Sequence, residues 1–148
     1  MLSFSGTVAA TTIYSNFGPG GVYDGPATVV AGATSAAYFS VVGQAFTPSG
    51  NYQLSQIDLA LLFISGTNST TVSLKADAGG LPGALLVTWS VSSLPAIGTC
   101  CIVQTFTPSS TIFLSAGTQY WIVAAPGASD TFVGWVWNST GDTGVCSV

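Results

Sequence analysis

Histidine, arginine and glutamate are absent from this chain. Its charged side chains are Lys75, Asp24, Asp58, Asp77, Asp130 and Asp142, which makes 4% of the sequence, against ~25% in ordinary soluble domains. Each absence removes chemistry. Without imidazole there is no ordinary proton shuttle near neutral pH and nothing to activate a serine nucleophile. A net charge of −4 and a pI of about 4.1 disfavour nucleic acid and anionic membranes, which recruit basic patches. No apolar run approaches the ~18 residues of a membrane-spanning helix; the longest covers residues 59–64 and suits a buried strand. Met1, Leu2 and Ser3 lack the basic start and apolar centre of a secretory leader. A leader already removed and an excised segment both fit.

What is present is apolar and neutral. Hydrophobic residues make up 48% and aromatics 11%, which argues against disorder. The 148 residues suit a single domain spanning 1–148. Surfaces that keep a protein monomeric usually carry ~25–35% charged residues. This chain instead implies either a Thr/Ser/Asn-rich surface, with or without glycans, or one covered in an assembly.

The three cysteines are Cys100, Cys101 and Cys146. Either Cys100 or Cys101 bridging to Cys146, a vicinal bridge and three free thiols all remain open, because connectivity cannot be read from sequence. Three thiols without histidine or a CxxC pair fall short of a zinc set. Asn68-Ser69-Thr70 and Asn138-Ser139-Thr140 match the acceptor pattern for N-glycosylation and also read as polar turns.

No apolar stripe has helical period. Ile57, Leu59, Leu61 and Phe63 alternate onto one face, leaving Asp58 on the other. Val72, Leu74 and Ala76 alternate inward, with Ser73 and Lys75 toward water. Further strands are predicted near 7–14, 38–46, 85–91, 101–106, 111–114, 119–125 and 132–138. Gly18-Pro19-Gly20-Gly21 and the run from Ala78 to Gly83 punctuate them as turns. Many short strands with regular turns predict an all-β fold, a two-sheet β-sandwich of jelly-roll type. An internal echo agrees. Phe46-Thr47-Pro48-Ser49 with Leu54-Ser55 recurs sixty residues later as Phe106-Thr107-Pro108-Ser109 with Leu114-Ser115, as paired Greek keys would.

Four segments are also familiar: residues 14–20 (Tyr-Ser-Asn-Phe-Gly-Pro-Gly), 45–49 (Ala-Phe-Thr-Pro-Ser), 74–83 (Leu-Lys-Ala-Asp-Ala-Gly-Gly-Leu-Pro-Gly) and 117–122 (Gly-Thr-Gln-Tyr-Trp-Ile). In this order, over roughly residues 12–140, they resemble the choice-of-anchor domain family of exported bacterial surface proteins, particularly its R-type. The resemblance implies an exported β-sandwich, often followed by a C-terminal sorting or anchoring segment. No such segment is read up to Val148. It carries over no catalytic residue.

Candidate chemistry is sparse. Asp58 and Asp77 are the carboxylates in or beside predicted strands, and a glycosidase needs two across a cleft. Asp77, however, opens a Gly-rich turn where aspartate bonds its own backbone. Asp24, Asp130 and Asp142 lie in loops but lack the spacing of a calcium loop. No catalytic residue, cofactor or metal is assigned. Trp135 and Trp137, two apart, share a face. They form either a sugar-stacking platform, with Tyr120 and Trp121 on a neighbouring strand, or core filling like Trp89.

The expectation is therefore a non-enzymatic extracellular or cell-surface structural domain. It acts through self-association, as a filament or matrix subunit, or through adhesion. The partner is then another copy, with glycans as the alternative for a carbohydrate-binding module. Residues 1–12, apolar and alternating, are the candidate extended arm to donate to a neighbour.

Overall fold

The computed structural model describes residues 11–18, 21–23, 27–35, 38–99, 103–137 and, for the backbone alone, 146–147. No helix occurs among them. The strands are β1 (Ala27–Ala31), β2 (Val42–Phe46), β3 (Tyr52–Gln53), β4 (Ile57–Ser65), β5 (Ser69–Asp77), β6 (Pro82–Ser92), β7 (Val103–Phe106), β8 (Phe113–Leu114), β9 (Tyr120–Pro126), β10 (Phe132–Val136) and β11 (Cys146–Ser147).

They form a four-stranded sheet, β1-β10-β4-β7, a five-stranded sheet, β11-β2-β9-β5-β6, and the small pair β3-β8. The pairings β1·β10, β2·β9, β3·β8, β4·β7 and β5·β6 are all antiparallel. Together they describe one long hairpin with its tip at the β5–β6 turn. The hairpin is rolled so that, apart from the separate β3·β8 rung, successive rungs fall alternately in the two sheets, and β10·β4 and β9·β5 close each sheet laterally. The fold is an all-β sandwich.

The core lies between the sheets because alternation sends one side of each strand inward. Leu59 and Leu61 of β4 and Val133 and Trp135 of β10 meet Val72 and Leu74 of β5 and Ile122 and Ala124 of β9 in one buried cluster. Burying a Leu or Val is worth ~1.5–3 kcal/mol, so this cluster is the main source of cohesion. The sixty-residue echo is visible here: in β3·β8, Gln53 pairs with Phe113, its own counterpart in the other half.

Several expectations change. The strand expected over 38–46 begins only at Val42; Tyr38 and Phe39 are exposed, and Ser40 forms a single bridge to Ala31. Residues 11–14 are not strand, and 7–10 lie outside the described residues, as do Cys100, Cys101, Asn138, Asp24 and Asp142. Ser73, expected to face water, is instead buried on the outer face, where β5 is flanked by β9 and β6, and its hydroxyl is satisfied by that of Thr88 at 3.1 Å across the β5·β6 pair. β9 and β10 do not pair: the loop between them crosses from one sheet to the other.

Candidate functional site: the free edge of the larger sheet

The five-stranded sheet has two edges. At one, β11 covers β2, with Cys146 opposite Gly43 and Ser147 opposite Val42. At the other, β6 has β5 on one side and, among the described residues, nothing on its other side. β6 is eleven residues long and carries no charge. Its pairing is irregular near its start, where the register shifts beside Lys75, and regular from Val87 to Ser92. Toward the core, Val91 is buried while Val87 and Trp89 are only partly covered. Trp89 reaches across to the end of β7 in the other sheet, its ring 5.7 Å from that of Phe106, and donates from Nε1 to the Thr107 carbonyl at 2.9 Å. Thr88, Ser90 and Ser92 face outward.

Large apolar side chains cluster where β6 begins. Leu81 is 58% exposed and Leu85 56%, with Leu86 also exposed. Val41, Lys75, Leu81, Pro82 and Val123 line a shallow depression of about 480 Å³ there. The sole cation of the chain thus sits in an apolar hollow, one strand in from the edge.

The β5–β6 turn is held by Asp77. Gly79 and Gly80 supply positive φ angles of 71° and 88°, which cost glycine little, and the Ala78 amide donates to the Leu81 carbonyl at 2.8 Å. The Asp77 carboxylate accepts from the Gly80 amide at 3.1–3.2 Å, from Trp121 Nε1 at 2.8 Å and from Gln119 Nε2 at 2.8 Å. The Trp121 indole, then the Gly80 amide and Gln119, hold this carboxyl below its ordinary pKa against a smaller opposing effect of burial. The turn role matches the sequence expectation. Trp121 and Gln119, more than forty residues away, were not visible as partners; the only signal was an indole needing an acceptor, and nothing local placed its strand beside β5.

The other expected residues are dispersed. Asp58 lies on the outer face of the other sheet, accepting from Gln56 Nε2 and Thr105 Oγ1, both at 2.7 Å, so it straps β4 to β7. Asp58 and Asp77 therefore do not face each other across a cleft. Asp130 is exposed in the β9–β10 loop. Among the described residues no three His, Cys, Asp or Glu side chains converge on a metal position. Trp135 is 1% exposed and belongs to the inter-sheet core, so its ring faces are covered and it cannot stack on a sugar at the surface. Trp137 is half-buried just beyond β10. The Asn68 amide is engaged at both ends, Nδ2 donating to the Leu94 carbonyl and Oδ1 accepting from the Leu94 amide, each at 3.0 Å. Cys146 is placed by its backbone on β2, whereas both of its expected sulfur partners fall outside the described residues. No helix among the described residues is long and apolar enough to cross a membrane.

Compared with known protein families, with curated proteins and with solved structures, the chain matches none.

Proposed function

We propose that this chain is a non-enzymatic structural domain of the cell exterior, working by association with further copies of itself in a filament or matrix. The observation that carries this reading is the β6 edge, long, uncharged and bordered by exposed leucines. Monomeric β proteins blunt such edges with lysine, proline or an overlying segment, because a row of free N–H and C=O groups invites another strand. Here the one proline of the strand is its first residue, Pro82, where it interrupts no ladder. The near-absence of charge supports the same reading, since neutral surfaces are cheaper to strip of water than ionic ones. The rolled hairpin, with its two halves each contributing to both sheets, we read as a jelly roll, a scaffold whose free edges lie at the ends of its sheets.

The test is sedimentation velocity over a concentration series, paired with negative-stain imaging. Species larger than a monomer are expected, and they persist in about 1 M salt because the contacts are neutral rather than ionic. Dispersed monomers at the highest soluble concentration overturn the reading.

A further inference from the structure

We infer that residues 1–10 of one copy add as a strand to the β6 edge of the next copy, giving an open-ended, head-to-tail chain of domains. This rests on the self-association proposed above and specifies its surface.

Both partners carry a matching pattern. Residues 1–10, which lie outside the described residues, contain no charge and no proline; Leu2, Phe4, Val8 and Ala10 alternate with Ser3, Ser5, Thr7 and Ala9. That is the period of a strand with one face buried. Ten extended residues span ~33 Å at ~3.3 Å each, the length of the eleven-residue acceptor. Laid beside β6, the apolar side of the arm extends the row of Val87, Trp89 and Val91, of which the first two are left partly uncovered within a single copy. Its serines and threonine then fall beside Thr88 and Ser90. Main-chain hydrogen bonds supply affinity and the alternating side chains supply register, as in other strand additions.

The path of the chain favours a neighbour over its own domain. Ile13 packs against the core, and the Tyr14 ring lies 6.3 Å from that of Phe46, at the end of β2. From β2, an arm turning back to its own β6 must cross β9 and β5. Counted back from Ile13, three inter-strand steps of ~4.8 Å consume about four residues, those numbered 9–12, which leaves Ala10 outside the pairing and shortens the arm. A second copy can receive all ten. Donor and acceptor are different surfaces, so the contact is heterologous and does not close on itself as a two-fold dimer would.

The test uses two full-length variants, Phe4→Asp/Val8→Asp in the arm and Leu86→Lys/Ser90→Lys on the edge, followed by sedimentation velocity and amide hydrogen exchange over residues 83–92. Each variant alone is expected to be monomeric; in the arm variant the concentration for half-association rises about a hundredfold, as the loss of two buried apolar side chains implies. Mixed, they form a one-to-one dimer and nothing larger, because only one arm and one edge remain functional. Among residues 83–92, the outward amides that do not bond to β5 exchange slowly in the wild-type assembly and quickly in the arm variant. If the edge variant misfolds, exchange in the arm variant alone decides. An arm variant that assembles like the wild type refutes strand donation and leaves self-association standing. A wild-type monomer in which those outward amides exchange freely refutes both. A wild-type monomer in which the outward amides are protected, and lose that protection in the arm variant, shows the arm seated on its own domain and overturns the exchange between copies.

Discussion

Two fully buried threonines carry the same hydroxyl with opposite consequences. Thr131 sits where the β9–β10 loop passes between the sheets. Its Oγ1 accepts from the Ala128 amide at 3.1 Å and lies within donating distance of the Thr67 and Ser69 carbonyls at 2.9 and 3.0 Å. Thr70 in β5 is equally buried, yet its Oγ1 has no hydrogen-bond partner. Valine at either site keeps the shape and removes the oxygen. In Thr131→Val the two carbonyls keep other donors, since Ser69 N–H reaches Thr67 at 2.8 Å and Gly127 N–H reaches Ser69 at 2.9 Å. The Ala128 amide loses its acceptor, and an orphaned buried donor costs about 1–3 kcal/mol. In Thr70→Val an unsatisfied hydroxyl is replaced by a methyl group, which returns about 1–3 kcal/mol on the scale of protein substitutions. Urea unfolding is therefore expected to place Thr70→Val above the wild type and Thr131→Val below it, at least about 2 kcal/mol apart. In thermal unfolding each kcal/mol reads as roughly 2–4 °C. Destabilisation by Thr70→Val, or equal effects at the two sites, would refute the argument that hydrogen-bond geometry decides the sign.

Two glycines test backbone space in the same way. Gly66 has φ of 79°, and a Cβ there would stand 1.9 Å from the Asp130 carbonyl oxygen, whereas Gly79, with φ of 71°, has nothing within 4 Å. Gly79→Ala is expected to cost only the left-handed penalty of about 1–2 kcal/mol, while Gly66→Ala must also displace the β9–β10 loop and loses several times more in urea titration; equal losses would show that the loop yields freely. For Asp77, whose pKa is lowered chiefly by the Trp121 indole, the stabilisation is complete above the unfolded-state value of about 3.9 and disappears as pH falls through the lower folded-state value. Asp77→Asn is thus expected to be less stable than the wild type at neutral pH, with the gap closing in strong acid. A gap independent of pH would show that the carboxylate charge contributes nothing to holding the turn.

Much of the fold was legible because local pattern and final burial agree. In β4 and β5, Leu59, Leu61, Val72 and Leu74 turn into the core as their alternation predicts; Ser73, between two of them, is the exception, buried on the outer face instead of meeting water. The turn after Asp77 was legible from its glycines. β1 was missed because Ala27–Ala31 offers five small or β-branched residues whose burial depends wholly on β10 beside it. Tyr52–Gln53 is too short to show any period. The pairing of β9 with β10 was the natural reading of two consecutive strands, but nothing local tells a chain which of two sheets it enters next. Trp135 is the sharpest case. Spacing put its ring on one face of a strand and could not say whether that face meets water or the opposite sheet.

The sixty-residue echo bears on why β6, among the described residues, is left at the outside of its sheet. Shifted by that interval, β2, β3, β4 and β5 fall on β7, β8, β9 and β10. Exchanging the halves turns the order β2-β9-β5-β6 into β7-β4-β10-β1, provided β1 stands in for β6. The two sheets are therefore related by a pseudo-two-fold axis through the Gln53–Phe113 pair. The relation is imperfect: Phe46 opposite Tyr120 calls for Phe106 opposite Ala60, whereas Phe106 lies opposite Ile57. In such a fold each half closes by lending strands to the other, so most strand edges must be neutral enough to meet a second copy of the same motif. β1 and β6 occupy equivalent outer positions, but β1 has five residues and β6 eleven. The longer edge is where a self-contained domain places a lysine. The lysine of this chain is Lys75, on β5, one strand too far in to guard it.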